Sequence, residues 1–184
     1  RKIVSIDAGS GGSRTARIRY LAAQSALVLS EGLYERFLAV ELVLPFEKSL
    51  RNKRARMDEA FKALEALVDY EVADVTAAAT FYMAETYSDF SRSLLASERP
   101  ADLDATQRSE YELVLEEEAF PFEERAIEVH EKNLELMAGG IYNPWIDKSL
   151  GKLAVLVPGR YAKFEASSGW IASRYQAFTE IPPI

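Results

Sequence analysis

Apolar side chains recur at intervals of three and four residues through most of this 184-residue chain. The segment 45–70 shows the pattern most clearly, with one side formed by Leu50, Met57, Phe61, Leu64 and either Leu67 or Val68. Such spacing places side chains on one face of an α-helix. Strict alternation, which is typical of a half-buried strand, is nearly absent and fits only residues 2–6. The sequence therefore predicts an all-α fold of antiparallel helical hairpins.

Caps, glycines and prolines divide the pattern into six predicted helices. Their expected spans are 14–32, 33–44, 45–70, 74–96, 105–137 and 143–158. Gly32 is expected to end the first, and Asp74 and Asp104 to cap the fourth and fifth. Pro121 lacks the backbone N–H that an inner turn needs, so we expect a kink or short break there. Hairpins of about 34 to 47 residues per pair have the spacing of tetratricopeptide (TPR), HEAT and related α-solenoids.

This pattern gives a domain organisation in three parts. Residues 1–13 are rich in glycine and are expected to form a linker or turn. Residues 14–163 are expected to form a helical-repeat domain. Residues 164–184 are expected to be a C-terminal tail with room for one short helix near Trp170.

Composition excludes several classes of protein. The chain has no cysteine, so disulfides, thiolate metal sites and cysteine nucleophiles are excluded. A net charge of −7 argues against nucleic-acid binding, which needs a surplus of Lys and Arg on one face. No apolar run reaches the ~20 residues that span a bilayer. Residues 48–56 are basic and residues 101–136 are strongly acidic, and we expect two solvated helix faces that attract each other.

The residues that most resemble chemical motifs do not form a convincing catalytic or metal site. His130, the only histidine, lacks the second histidine of a zincin, since Leu134 occupies that position. It is expected on the helix surface among carboxylates. The acids at 116–118 and 123–124 have the residue type of a glycosidase pair but no accompanying aromatic cleft. We therefore expect a non-enzymatic protein without metal or cofactor.

The N-terminal segment Asp7–Arg14 offers an alternative. Its Asp-Ala-Gly-Ser-Gly-Gly-Ser-Arg sequence resembles the first phosphate-binding loop of actin-like ATPases and apyrases. The resemblance implies that residues 2–6 form the strand that precedes such a loop. The strand expected next in those families is replaced by a helical pattern from Arg14 onward, and no second phosphate loop follows.

A longer set of motifs resembles the C-terminal part of a family of bacterial, mainly proteobacterial, TPR proteins. The matching segments are 7–9, 14–23, 79–85, 94–100, 111–113, 115–124, 126–131, 140–142 and 158–163. The resemblance implies a periplasmic or envelope-associated solenoid, related to TonB/Tol-type energy transduction or gliding motility, without catalytic residues. It also implies that this chain is the last portion of a longer solenoid.

The function expected from these observations is a helical-repeat scaffold that mediates protein–protein interaction in a bacterial envelope complex. One alternative is a structural C-terminal cap of a longer solenoid, and another is an actin-like ATPase fragment that uses residues 7–14. Exposed aromatic and acidic side chains are the candidate contacts with a protein partner. They are Tyr82, Tyr87, Glu116, Glu117, Glu124, Tyr142 and Trp145.

Overall fold

The computed structural model describes residues 1–162, and this part of the chain contains helices and turns but no strand. Its seven helices are α1 (Lys2–Gly9), α2 (Ala16–Leu38), α3 (Phe46–Val68), α4 (Ala73–Leu95), α5 (Ala105–Glu135), α6 (Pro144–Leu156) and α7 (Pro158–Tyr161). Short 3-10 turns span Gly11–Ser13 and Leu136–Gly139. The predicted all-α class is confirmed. The helix suggested near Trp170 lies outside the described residues.

Side-chain caps mark the beginnings of α2, α5 and α6. The Thr15 hydroxyl accepts a hydrogen bond from the Ile18 amide at 3.2 Å. Asp104 accepts from two amides of the first turn of α5, while the Gln107 side chain accepts from the Asp104 amide, which completes a capping box. Asn143 caps α6 ahead of Pro144. The predicted helix starts at Asp104 and Asn143 are therefore confirmed.

Helix α4 lies at the centre and packs against α2, α3, α5 and α6. Its contacts with α2 and α3 form one apolar cluster, made of Ala23, Leu27, Leu64, Leu67, Val75, Ala78 and Ala79. A second cluster lies nearer the carboxyl end of α4 and contains Phe37, Leu42, Met57, Phe90, Leu94 and Ala119. The long helices thus bury stripes that the apolar spacing had identified.

The first two predicted helices are a single helix, so the prediction that Gly32 ends one is wrong. Gly32 lies inside α2, which continues to Leu38. A glycine in a helix interior costs only about 1 kcal/mol relative to alanine. Burial of Phe37, whose side chain is fully enclosed in the second cluster, offsets that cost.

The N-terminal residues also differ from expectation, because residues 2–6 belong to helix α1 and not to a strand. The Arg14 guanidinium donates two hydrogen bonds to the buried Asp7 carboxylate, at 2.7 and 2.9 Å. Residues 1–13, expected as a linker or turn, therefore contain a helix whose Asp7 is held by Arg14. The strand that an actin-like phosphate loop would follow is absent from this segment.

Two further local predictions need correction. Asp74 does not cap α4, because the capping position is Val72 and Asp74 lies in the first turn, where a carboxylate still favours the positive end of the helix. Of the kink or short break expected at Pro121, the break does not occur, since α5 runs unbroken from Ala105 to Glu135. Pro121 itself is exposed. Ala119 belongs to the second cluster and Phe122 packs against that cluster, so the helix is held in place on both sides of the proline.

A buried lysine joins three helices. Lys53 of α3 is 1% exposed, and its Nζ lies 2.9 Å from Asp89 Oδ2 of α4. The same ammonium donates to the carbonyl of Val40, just past the end of α2, at 3.0 Å. It also lies 4.3 Å from the centre of the Phe37 ring. Lys53 thus supplies a hydrogen-bond donor to a backbone carbonyl at the carboxyl end of α2, where the helix itself offers no amide partner.

The position of Gly32 predicts a gain in stability on substitution. Gly32→Ala should raise the free energy of unfolding by about 0.5 to 1 kcal/mol, because a Cβ there meets no atom within 4 Å and restricts the unfolded chain. Gly140→Ala is the matched control, since Gly140 has a φ of 78° and alanine is strained there. Urea unfolding should move in opposite directions for the two variants, and equal effects would contradict the interior helical position of Gly32.

The Lys53–Asp89 pair predicts a large loss of stability when broken. Asp89→Asn should lower the free energy of unfolding by about 3 kcal/mol, because it leaves the buried ammonium without a counter-charge. Glu47→Gln should change it by less than about 0.5 kcal/mol, since Glu47 and Arg51 form an exposed pair. Chemical denaturation of both variants checks this difference, and similar losses would show that Lys53 does not depend on Asp89.

Candidate binding groove between two helices

An open groove of about 700 Å³ lies along the junction of α4 and α6. The two helices run in the same direction on α5, as shown by contacts of Asp74 with Asn143 (3.2 Å) and of Glu85 with Lys152 (2.5 Å). The groove is lined by Phe81, Tyr82, Glu85, Ser88, Ser91, Arg92, Leu95, Glu123, Trp145, Lys148, Gly151, Lys152, Val155 and Leu156. Its volume is within the range of ordinary ligand sites.

Three aromatic rings form one end of the groove. The centres of the Phe81 and Trp145 rings lie 5.6 Å apart, and those of Tyr82 and Trp145 lie 5.3 Å apart. The Tyr82 hydroxyl donates to Glu31 of α2 at 3.0 Å, which fixes its ring from behind. A rigid, partly exposed aromatic surface of this kind is what binding sites use as an anchor, since ordering it costs little on binding.

Cations are prominent along the walls of this aromatic groove. Lys148 Nζ lies 4.0 Å from the centre of the Trp145 ring, a cation–π contact, and no carboxylate in residues 1–162 lies within 4 Å of it. Arg92 lies 3.5 Å from Asp89. Lys152 pairs with Glu85, so that carboxylate does not offset the charge of Lys148. In a chain of net charge −7, the Lys148 side of the groove is locally positive.

Polar side chains lie beneath the groove where α4, α5 and α6 meet. His130 Nδ1 lies 3.2 Å from Ser149 Oγ, and His130 Nε2 lies 3.3 Å from Glu85 Oε1. Asn133 Nδ2 donates to Ser149 Oγ at 2.9 Å and to the Ala77 carbonyl at 3.1 Å. Because the Glu85 carboxylate is an acceptor, we assign the ring proton to Nε2, which leaves Nδ1 to accept from Ser149.

The prediction that His130 lies on the helix surface is wrong, because its side chain is fully buried and packs against Phe81 at 5.6 Å between ring centres. The sequence did contain a signal for this position. His130 and Asn133 continue the 3-4 spacing set by Ala119, Phe122 and Ala126 on the inner face of α5. The polar nature of the two residues concealed that they belong to the buried stripe.

The order carboxylate, imidazole, hydroxyl in Glu85, His130 and Ser149 is also that of a hydrolase triad. Here Ser149 and His130 are fully buried, and neither is among the residues that line the groove. Ser149 Oγ already accepts a hydrogen bond from Asn133. This arrangement therefore fixes α6 against α5 and does not present a nucleophile to a substrate.

The ionisation of Glu85 depends on its neighbours. Burial by itself raises the pKa of Glu85, but the hydrogen bond and charge of Lys152, together with the nearby His130 imidazole, outweigh it, so the pKa lies below the ordinary value of 4.5. Glu85 is therefore a carboxylate at neutral pH and holds Lys152 in the wall of the groove. Within residues 1–162, no group of three acids or histidines is arranged to hold a metal ion.

The structure brings together only part of the predicted binding set. Tyr82 and Trp145 share the groove. Tyr87 lies elsewhere, against Phe61 at 4.8 Å between ring centres. The remaining members are exposed but do not line the groove; they are Glu116, Glu117, Glu124 and Tyr142. Sequence reasoning missed the contributions of Phe81, Glu85, Lys148 and Lys152, because helices distant in sequence bring these side chains together.

The expected attraction between the basic and acidic segments is not seen among the described residues. The basic residues pair elsewhere: Lys53 with Asp89, Arg51 with Glu47, and Arg56 with Glu59. On the acidic side, no cation in residues 1–162 lies within 4 Å of Glu116, Glu117, Glu123 or Glu124. The acids of α5 therefore remain without ion-pair partners among residues 1–162, whereas much of the basic segment is already paired.

Comparison of the chain with protein families, with curated proteins and with solved structures gave no match. None of the helices within residues 1–162 has both the length and the apolar character that crossing a bilayer requires.

The environment of Glu85 predicts how stability depends on pH. A lowered pKa in the folded state means that the carboxylate stabilises the fold fully above pH 4.5 and loses that contribution as pH falls through the folded-state pKa. Glu85→Gln should be less stable than the parent by about 2 kcal/mol at pH 7, and the gap should shrink in acid. Thermal unfolding between neutral and acidic pH measures this gap.

Glu118→Gln is the control for that experiment, because Glu118 is exposed on α5 and has no ion-pair partner among the described residues. Its stability should follow that of the parent at every pH. A Glu85→Gln variant whose deficit stayed constant down to strongly acidic pH would show that the carboxylate charge does not stabilise this junction.

Proposed function

We propose that this protein is a non-enzymatic helical scaffold that binds a protein partner in the groove between α4 and α6. The observation that carries the proposal is the shared position of Tyr82 and Trp145, two aromatics selected as candidate anchors from the sequence, in one open groove with an apolar floor. Lys148, on the Trp145 ring, adds a positive charge next to that anchor.

The dimensions of the groove suit a helical segment of a partner. Its α4 wall extends from Phe81 to Leu95 and its α6 wall from Trp145 to Leu156, which correspond to about 21 and 16 Å of helix at 1.5 Å per residue. A partner helix of three or four turns could place apolar side chains along this length, as in helix-in-groove recognition. Val155, which is 77% exposed at the groove wall, provides unfilled apolar surface for such a segment.

The remaining features of the proposal rest on the resemblance to bacterial TPR proteins. They are a TPR-like solenoid arrangement of the hairpins, a periplasmic or envelope-associated location, and partners from TonB/Tol-type energy transduction or gliding motility. The pairs α2–α3 and α4–α5 are antiparallel, since Ser30 meets Ala63 while Phe37 meets Lys53, and Ala77 meets Asn133 while Phe90 meets Phe122; this agrees with helical hairpins. A scaffold of this kind needs no cofactor, and its partners are proteins and not nucleic acids.

A matched pair of variants tests the groove. Val155→Glu places a charge in the wall of the groove, whereas Val28→Glu places the same charge on α2, where Val28 is 65% exposed and outside the groove. A protein captured from bacterial envelope extract by the parent chain should be lost at least tenfold with Val155→Glu and retained with Val28→Glu. Quantitative mass spectrometry of the captured proteins gives the ratio.

Both substituted side chains are exposed, so unchanged circular dichroism spectra are expected and serve as the folding control. Loss of the captured protein with both variants would point to a general charge effect. Capture that is insensitive to Val155→Glu and also to Trp145→Phe would overturn the groove as the binding surface.

A further inference from the structure

Helix α6 covers only part of the face of α5 on which it lies. α6 has 13 residues and α5 has 31, and α6 ends at Leu156, close to Glu123 in the lining of the groove. One and two turns before Glu123 on the same side of α5 lie Phe120 and Glu116. Phe120 is 59% exposed. The apolar groove therefore continues past the end of α6 onto a part of α5 that no other residue within 1–162 covers.

This extended surface has opposite charges at its two ends. One end has Lys148 beside Trp145, and no carboxylate in the described chain lies within 4 Å of its ammonium. The other end has Arg92, which pairs with Asp89, and a larger number of acids on α5 that lack ion-pair partners in residues 1–162; they are Glu116, Glu117, Glu123 and Glu124. Between the two ends lie exposed or partly exposed apolar side chains, namely Leu95, Phe120, Val155 and Leu156.

A surface that is basic at one end and acidic at the other is complementary to itself when rotated by 180°. In a two-fold interface each residue i contacts j of the partner, and j contacts i, so one favourable pair of opposite charges is made twice. The distance from Lys148 to Leu156 along α6 is about 12 Å, and that from Glu123 to Glu116 along α5 is about 10 Å. A two-fold axis near Leu156 and Glu123 would therefore place Lys148 of each copy close to Glu116 of the other.

We propose that this surface binds a second copy of the same chain, with the acidic α5 face of each copy against Lys148 and the aromatic groove of the other. The proposal rests on the proposed function, in which the α4–α6 groove binds protein, and it names the partner. Phe120 of each copy then fills apolar groove surface near Val155 of the other. Burial of the apolar centre provides most of the affinity, while the two charge pairs determine orientation.

Charge reversal tests this pairing on the full chain. Sedimentation equilibrium should show a monomer–dimer equilibrium between about 1 μM and about 1 mM. Lys148→Glu and Glu116→Lys should each weaken the dimer at least tenfold, because each brings like charges together twice. The double variant Lys148→Glu/Glu116→Lys should recover most of that loss, since it restores opposite charges in reversed order.

Arg54→Glu and Glu65→Lys are the matched controls, because they make the same changes in net charge at exposed positions of α3 outside the surface. They should leave the dimer dissociation constant unchanged within about threefold. All positions changed are exposed, so far-ultraviolet circular dichroism should be the same for every variant.

A chain that is monomeric over the whole range would overturn the proposal, and so would a dimer that ignores both single reversals. Single reversals that weaken the dimer without recovery in the double variant would overturn the pairing of Lys148 with the α5 acids. A monomeric chain that still captures another protein in a Val155-dependent way would leave the proposed function standing while removing this inference.

Discussion

The close approach of four helices to α4 is the constraint on which the rest of the fold depends. Ala77, Ala78 and Ala79 are fully buried and successive, so they point about 100° apart around the helix axis and face different neighbours. A large side chain at any of these positions would push one neighbour away, because helix axes pack only 8–10 Å apart. The small residues of α4 therefore allow α2, α3, α5 and α6 to share one central helix.

Surrounding α4 in this way also encloses two of its acids, Glu85 and Asp89, and each of them is paired with a different neighbour. Asp89 is paired with Lys53 of α3, and Glu85 lies between His130 of α5 and Lys152 of α6. The first pair joins the carboxyl end of α2 to the core, and the second set forms the base of the groove. Since a buried charge is costly without a partner, both flanks of α4 are held by electrostatic as well as apolar contacts.

Local signals in the sequence predicted the helices better than they predicted the site. Apolar stripes and the caps at Asp104 and Asn143 identified most helices, because these features act within a few residues of the chain. The Gly32 prediction failed because tertiary burial of Phe37 outweighs a local helix penalty. The site was only half predicted: Tyr82 and Trp145 stood out as aromatics, whereas Lys148 and Glu85 acquire meaning only when α6 lies beside α4.

The contacts that attach α6 are polar at their centre, and this restricts where α6 can lie along its neighbours. Ser149 is positioned to meet both His130 and Asn133, and Asn133 also donates to the Ala77 carbonyl. Sliding α6 by one helical turn, about 5.4 Å, would still bury apolar surface but would separate Ser149 from His130 and Asn133 and leave His130 Nδ1 without its partner. A purely apolar interface would tolerate several positions of α6 along α5, whereas this polar interface allows only one. Because α6 forms one wall of the groove, the position of that wall relative to Phe81 is fixed as well.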